Sequence, residues 1–208
     1  MIGDIPIGPQ AATQKRQSLR CGRGRSLRRS LGQLGVLLAI LAAIVRLVHA
    51  SGLRFQHTGS LPRGIYRTTH GMLVRGAIGM WCLPANVGVW ARARGYLLQG
   101  SCPGGVEPIG KVVLGIERDT IRFMPAGLMV NGRPVPNSRP RLHDSRGRPL
   151  APIGYGTYVL QEGEVWLGSP YTPLSFDSRY FGPVSNTALV SLVVPVWTTV
   201  PVVGSSVP

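Results

Sequence analysis

Apolar and polar positions divide the chain into three parts. Residues 1–33 are polar, basic and rich in Gly, Ser and Arg, with no apolar period that would favour a folded element. Residues 34–50 form a nearly continuous apolar run that is interrupted by Arg46. Leu31 could extend the run towards the N-terminus. A run of roughly 17–20 residues is about the minimum for a helix that crosses a bilayer. We predict a basic cytoplasmic tail at 1–33, a transmembrane signal anchor at 34–50 and a folded domain, the body, at 51–208.

The body has the pattern of an all-β protein. Short β-branched and aromatic runs alternate with Gly- and Pro-containing turn signals, and no long helical period appears. This alternation is typical of a β-sandwich or β-barrel. The predicted strands are 77–83, 87–91, 109–116, 120–123, 156–161, 164–167 and 187–196.

Two connections within the body can be predicted from local sequence. Asn131 and Gly132 lie between apolar flanks, and this pair favours a type I′ hairpin because both central residues of that turn need a positive φ. Residues 136–153 are polar and rich in Pro and Arg, which predicts a long exposed loop. The simplest expectation for its arginines is a solvated face, formed by Arg139, Arg141, Arg146 and Arg148.

The last apolar stretch, residues 188–203, is interpreted as a closing strand followed by a tail. A second membrane span is the less favoured alternative, because Pro195, Pro201 and the pair Thr198-Thr199 interrupt the stretch.

Charge orients the anchor. The formal net charge is +15, and seven Lys and Arg residues precede the apolar run against Asp4 alone. Basic residues on the N-terminal side of a span favour a cytoplasmic location for that side. The body is then expected on the outer face. A cleavable signal peptide is the rival interpretation, since residues 48–51 loosely imitate a cleavage site, but the apolar run is long for one.

Three cysteines make a disulfide possible and a zinc site improbable. Cys21 lies in the tail, and Cys82 and Cys102 lie in the body without CxxC or Cys/His metal-ligand spacing. Outside the cytoplasm Cys82 and Cys102 could be joined, while two separate buried thiols remain equally open. No metal or other cofactor is expected.

The sequence lacks the motifs of several common hydrolase and nucleotide-binding classes. His57, His70 and His143 stand in no motif typical of a Ser/His/Asp triad, and the sequence contains no HExxH and no GxxxxGK[ST]. The body has one lysine, Lys111, beside fourteen arginines. It lies in an apolar, strand-like run, where burial would lower its pKa and allow it to act as a general base. A solvated side chain is the simpler interpretation of one such lysine taken alone.

Four separated segments, taken in order, resemble a known family. They are Ser60-Leu-Pro-Arg-Gly-Ile-Tyr66, Lys111-Val-Val-Leu-Gly-Ile-Glu-Arg-Asp119, Val130-Asn-Gly132 and Ser175-Phe-Asp-Ser-Arg-Tyr-Phe-Gly182. Together they are similar to the successive boxes of the type I signal peptidases. The S-x-P-x-G-x-Y form of the first segment and residues 100–111 before the lysine resemble the TraF-type conjugative-transfer signal peptidases, which process pilin precursors.

The resemblance, which covers about residues 55–197, implies a signal-peptidase-like β-barrel or sandwich with a Ser/Lys dyad. Ser60 would be the nucleophile and Lys111 the general base. The hydroxyl of Thr58 would assist the Ser60 N–H as an oxyanion donor, and Ser175 would orient the lysine. A structural pair near the site is implied for Asp177 and Arg179. The sequence departs from the family in two places. The family's usual Gly-Asp turn after the lysine appears here as Arg118-Asp119. The family's Gly-Asp-Asn entry to the last segment appears here as Gly163-Glu164, followed by a longer insertion.

The resulting hypothesis is a single-pass protein of the bacterial inner membrane with a periplasmic catalytic domain. It would cleave exported precursors after small residues, with a conjugative pilin precursor as the expected substrate and cyclisation of the product as an option. Membrane lipid is an expected partner and nucleic acid is not. A repressor-like protease would need a soluble DNA-binding domain in place of the anchor. A non-enzymatic anchored component with a basic surface for nucleic acid or lipid explains the charge but leaves Lys111 and the ordered segments as coincidence.

Overall fold

The computed structural model of the protein describes residues 23–202, and these fall into two compact units that divide at Ala50 and Ser51. Most of the predicted basic tail, together with Cys21 and residues 203–208, lies outside the described residues. The first unit contains helix α1, Arg23–Ala50. Within it, Leu31–Val48 is long and apolar enough to cross a membrane. The helix therefore begins about three turns before the predicted anchor, because helical backbone bonds continue through the Arg- and Ser-containing residues ahead of the apolar run.

The regular secondary structure of the second unit is mostly strand, so the predicted all-β body with one N-terminal apolar helix is confirmed. Its strands are β1 (Leu53–Gln56), β2 (Gly64–Thr69), β3 (Ile78–Trp81), β4 (Gln99–Cys102), β5 (Ile109–Gly115), β6 (Thr120–Met124), β7 (Gly127–Val130), β8 (Arg133–Pro134), β9 (Gly156–Val159), β10 (Glu164–Gly168), β11 (Val184–Ser185) and β12 (Leu189–Thr198). Two short helices are present, α2 (Ala85–Ala93) and α3 (Ser178–Phe181), with a 3₁₀ turn at Asn186–Ala188.

Eleven of these strands form two antiparallel sheets, and β4 lies outside both, joined to Val106 by isolated bridges. The larger has seven strands in the order β1-β2-β12-β3-β5-β10-β11, and the smaller has four in the order β8-β7-β6-β9. Strand β5 lies in the interior of the larger sheet, between β3 and β10, and is buried along most of its length. The hairpin between β7 and β8 turns at Asn131 (φ 49°) and Gly132 (φ 79°), as the sequence predicts.

Three hydrophobic clusters hold the body together. One contains Trp81 and Leu167, a second lies under the smaller sheet around Phe123 and Trp166, and a third surrounds Leu61 and Tyr66. The third cluster underlies the segment that carries Ser60, so apolar burial fixes the position of that segment.

One predicted strand is wrong. Residues 87–91 lie in helix α2, which begins after Pro84 and buries Gly88 and Ala91 on one face. The alternation of Val87 and Val89 is typical of a strand. In a helix, however, Gly88 and Ala91 are three residues apart and lie on the same face. A Cβ at Gly88 would lie 2.9 Å from Val106 Cγ2, so this face packs closely against Val106. The close fit against Val106 therefore decides between two patterns that are ambiguous over five residues.

The predicted loop is present, with one correction. Residues 136–153, here called the strap, contain an isolated bridge between His143 and Pro149 but no helix or strand. Arg139, Arg141 and Arg146 are exposed as expected. Arg148 is not a solvated side chain, because its Nε donates to the buried Asp144 carboxylate at 2.7 Å. A buried carboxylate needs such a partner.

Candidate active site

Ser60 lies in the turn that connects β1 to β2, and its neighbours fix that turn. Leu61 is buried, and the Tyr66 hydroxyl donates a 2.8 Å hydrogen bond to the Pro62 carbonyl. Gly64 begins β2 so close to β12 that a Cβ there would lie 2.0 Å from the Trp197 carbonyl oxygen. The buried Leu61, the Tyr66 hydrogen bond and the close approach at Gly64 therefore fix the turn that presents the Ser60 hydroxyl.

Lys111 reaches Ser60 from the neighbouring part of the sheet. Its Nζ donates to Ser60 Oγ at 2.6 Å and to Ser175 Oγ at 2.9 Å. The residue is only 3% exposed. Burial is the main cause that lowers the pKa of Lys111 to about 8; Arg179 lowers it further and Asp177 opposes the shift. A useful fraction of neutral amine is thus present near neutral pH, and a neutral amine can accept the serine proton.

A buried ion pair fixes Ser175. Arg179 Nε and Nη2 each donate to an Asp177 carboxylate oxygen at 2.8 Å, and Nη2 also donates to the Ser175 carbonyl at 2.9 Å. Arg179 Nη1 reaches the Arg139 carbonyl at 3.0 Å, which ties the strap to the same pair. The bidentate geometry orders the Ser175 backbone beside Lys111.

Thr58 lies two residues before Ser60 with an exposed side chain. Its hydroxyl accepts a hydrogen bond from Gln56 Nε2, which also donates to the Thr58 carbonyl at 3.3 Å. Since a carbonyl oxygen can only accept, the amide nitrogen of Gln56 must face Thr58. The threonine O–H proton is then free to point elsewhere. No motif in the sequence identified Gln56, which is an isolated glutamine at the end of β1.

The Ser60 and Lys111 side chains open into a cleft of about 480 Å³. Its apolar wall includes Leu97, Ile109, Leu150 and Phe176, and an extended apolar peptide would fit such a wall. His57 and His143 also line the cleft. Among residues 23–202, however, the hydrogen-bond partner of Ser60 Oγ is Lys111. In the same part of the chain, no three His, Cys, Asp or Glu side chains converge as a metal site.

Cys82 and Cys102 are joined by a disulfide, which resolves the alternatives that the sequence left open. The bond links the residue after β3 to the end of β4. It closes a loop of 20 residues that contains helix α2. The loop leads through Val106 into β5, the strand that carries Lys111.

Asp144 was not identified from the sequence, yet it anchors the strap beside the cleft. Its carboxylate accepts from the Tyr96 hydroxyl at 2.6 Å, from Arg148 Nε at 2.7 Å and from the backbone N–H groups of Arg146 and Arg148 at 2.9 Å. Burial acts to raise the pKa of Asp144, but these hydrogen bonds outweigh it and hold the pKa well below its usual range. The carboxylate is charged and fully satisfied at neutral pH.

Comparisons with known proteins agree with the segments on which the sequence prediction rests. The profile of the family described as "Signal peptidase, peptidase S26" matches residues 29–198. The plasmid transfer protein TraF of Escherichia coli is 36% identical over 168 residues, which cover 79% of this chain and 94% of the relative. The probable conjugal transfer protein TraF of Sinorhizobium fredii (strain NBRC 101917 / NGR234) is 34% identical over 173 residues, covering 81% and 90%.

A solved structure also matches. It is a signal peptidase I from Enterococcus faecalis V583, with 18% sequence identity and a TM-score of 0.36. The match covers 61% of this chain and 100% of that one.

Proposed function

The chain belongs to the signal peptidase S26 family, and from this premise we propose that it is a membrane-anchored serine endopeptidase with a Ser60/Lys111 dyad. One observation carries the proposal: the single lysine of the body is buried and lies 2.6 Å from Ser60 Oγ. Its similarity to TraF proteins supports a role in conjugation.

The geometry supports an acyl-transfer mechanism. Ser60 Oγ attacks the carbonyl carbon of the scissile peptide bond as its proton passes to neutral Lys111 Nζ. Ser175 holds the amine in line through its 2.9 Å contact. The ammonium of Lys111 then gives the proton to the leaving amine, and the precursor remains as an ester on Ser60. Water attacks the ester with Lys111 again as the base, which releases the carboxylic acid and restores the serine.

The developing oxyanion needs hydrogen-bond donors. We assign this task to the backbone N–H of Ser60 and the hydroxyl of Thr58. Because Gln56 Nε2 donates to the Thr58 oxygen, the threonine proton remains available for the oxyanion. Loss of one such donor typically costs about 10²-fold or more in rate.

The proposed substrates are exported precursors with small residues before the cut, and a conjugative pilin precursor is the favoured one. If the amine of the same chain attacks the ester in place of water, the product is cyclic. The proposed location is the bacterial inner membrane, with the N-terminus in the cytoplasm and the body in the periplasm. The Cys82–Cys102 disulfide supports an oxidising compartment.

The proposal is tested by co-expression of a candidate precursor with wild-type chain, Ser60→Ala or Lys111→Ala, followed by mass spectrometry of the product. Processing should occur with the wild type and fall by at least about 10³-fold in each variant, since either loss removes the acyl-transfer chemistry. Intact mass gives the cut site, and a product lighter by one water than the linear peptide is cyclic. Full processing by either variant would refute the dyad.

A further inference from the structure

The charges that line the cleft are unevenly neutralised. Its carboxylates are Glu107 and Asp144, and its guanidinium groups are those of Arg63 and Arg141. Asp144 has Arg148 Nε at 2.7 Å and Arg94 Nη1 at 3.6 Å, so it offers no charge to the cleft cations. Glu107 Oε1 accepts from the Leu98 N–H at 3.0 Å.

Arg141 combines a fixed backbone with an unused side chain. Its N–H donates to the Tyr180 hydroxyl at 2.9 Å, and that hydroxyl lies 3.3 Å from the Arg141 carbonyl oxygen, to which it donates. The strap around it is held by Arg179, through the Arg139 carbonyl, and by Asp144. Among residues 23–202 the Arg141 guanidinium forms no hydrogen bond or ion pair with the protein, and the same is true of Arg63. Ordering the backbone beforehand lowers the entropy lost when the side chain binds.

We infer, on the basis of the proposed function, that Arg141 forms a carboxylate-binding subsite in the catalytic cleft, to which Arg63 adds a second positive charge along the same cleft. A guanidinium presents a planar fork of donors that matches a carboxylate in a bidentate manner. The subsite favours precursors that carry a carboxylate within a few residues of the cut. That group is either an Asp or Glu side chain or a free C-terminal carboxylate.

The test uses the full chain in detergent micelles and internally quenched peptides with Ala at the first and third positions before the cut. Each of the remaining positions before and after the cut carries Glu in one peptide and Gln in its matched partner. Every peptide is made in two forms, with a C-terminal acid and with a C-terminal amide. We expect kcat/KM to favour Glu over Gln about fivefold at one or two positions, or the acid over the amide. The preference should shrink as salt is raised, because the site is open to solvent.

Arg141→Gln should bring the Glu/Gln or acid/amide ratio close to one. Arg139→Gln is the matched control, since Arg139 is exposed on the same strap but does not line the cleft. It should keep the wild-type ratio. An equal rate for both members of every pair, an unchanged ratio in Arg141→Gln, or an equal loss in Arg139→Gln would each overturn the inference.

A binding measurement separates this inference from the proposed chemistry. Fluorescence anisotropy of the same peptides with Ser60→Ala, alone and combined with Arg141→Gln, reports the subsite without turnover. If no peptide is cleaved by the wild type, the proposed function fails. The subsite then stands only if the Glu or acid peptides still bind about fivefold more tightly than their Gln or amide partners, and if Arg141→Gln removes this difference.

Discussion

The proposed chemistry depends on the burial of Lys111. Burial disfavours its ammonium form, and the charge of Asp177 offsets this only in part, which leaves the pKa of Lys111 at about 8. The same lysine in solvent would remain protonated at neutral pH and could not accept the Ser60 proton.

The pH dependence of cleavage should follow this pKa. Only the neutral amine is a base, so kcat/KM should rise about tenfold per pH unit below the pKa and level off above about 8. Peptide cleavage between pH 6 and 9.5 measures it. Lys111→Arg should be inactive throughout, because a guanidinium stays protonated over this range. A flat profile in the wild type would contradict the role of Lys111 as the base.

The backbone at Arg118 gives a second prediction at this scale. Arg118 has φ 68° in the turn before β6, and its side chain is 90% exposed. Arginine is strained in this left-handed conformation and glycine is not. Arg118→Gly should raise the free energy of unfolding by a few tenths to about 1 kcal/mol, partly offset by the larger entropy of an unfolded glycine. Urea denaturation measures the change, and a lower midpoint would contradict the argument.

At the scale of elements, β5 positions the site and helix α2 with β4 supports it. Strand β5 lies between β3 and β10 and carries Lys111 in register with Gly79. Helix α2 is held against the core by Gly88 and Ala91, and Tyr96 just after it donates to Asp144 of the strap. The wall of the cleft that contains the strap therefore depends on an element that the sequence pattern assigned as a strand.

The disulfide should stabilise this arrangement. Closing a loop of 20 residues in the unfolded chain corresponds to about 3 kcal/mol in the chain-entropy model. In a Cys21→Ala background, reduction should lower the free energy of unfolding by about that amount, measured by urea denaturation with and without a reductant.

Cys82→Ala/Cys102→Ala in the same background is the control and should not respond to the reductant. The protein with Cys82 and Cys102 intact is compared in its oxidised and reduced forms, with reduction verified by mass. Equal urea midpoints for the two forms would show that the bond does not stabilise the body.

At the scale of the whole molecule, the chain separates into an apolar helix and a compact body. The body has its own three hydrophobic clusters, and residues 51–202 contain all the side chains of the proposed site. Helix α1 suggests that the chain is anchored in a membrane.

A chain that begins at Ser51 should therefore fold and be soluble, while the full chain should sediment with membranes and be extracted only by detergent. The short chain should cleave peptides within about threefold of the full chain and lose Ser60-dependent cleavage in Ser60→Ala, since no site residue lies before Ser51. Ultracentrifugation and peptide cleavage measure both. A truncated chain that aggregates or shows no circular-dichroism signal of strands would indicate that the body needs residues 1–50.

Local sequence determined the features whose causes are local. The length of the apolar run, the alternation in the body, the Asn131-Gly132 turn and the solitude of Lys111 depend on neighbouring residues or on composition, and each can be read without coordinates. The resemblance of four ordered segments to the signal peptidases then implies roles for Ser60, Lys111 and Ser175.

Only the tertiary structure brought these residues together, because Ser60 and Lys111 are 51 residues apart in the chain and their contact is made by sheet register. It also decided the pKa of Lys111, which depends on burial; the helical state of α2, which depends on the space beside Val106; and the disulfide between Cys82 and Cys102. The charge balance of the cleft was likewise beyond the sequence. Asp144 is neutralised by Arg148, while Arg141 has no ion-pair partner among residues 23–202, so two arginines of one polar loop differ only in what the fold places beside them.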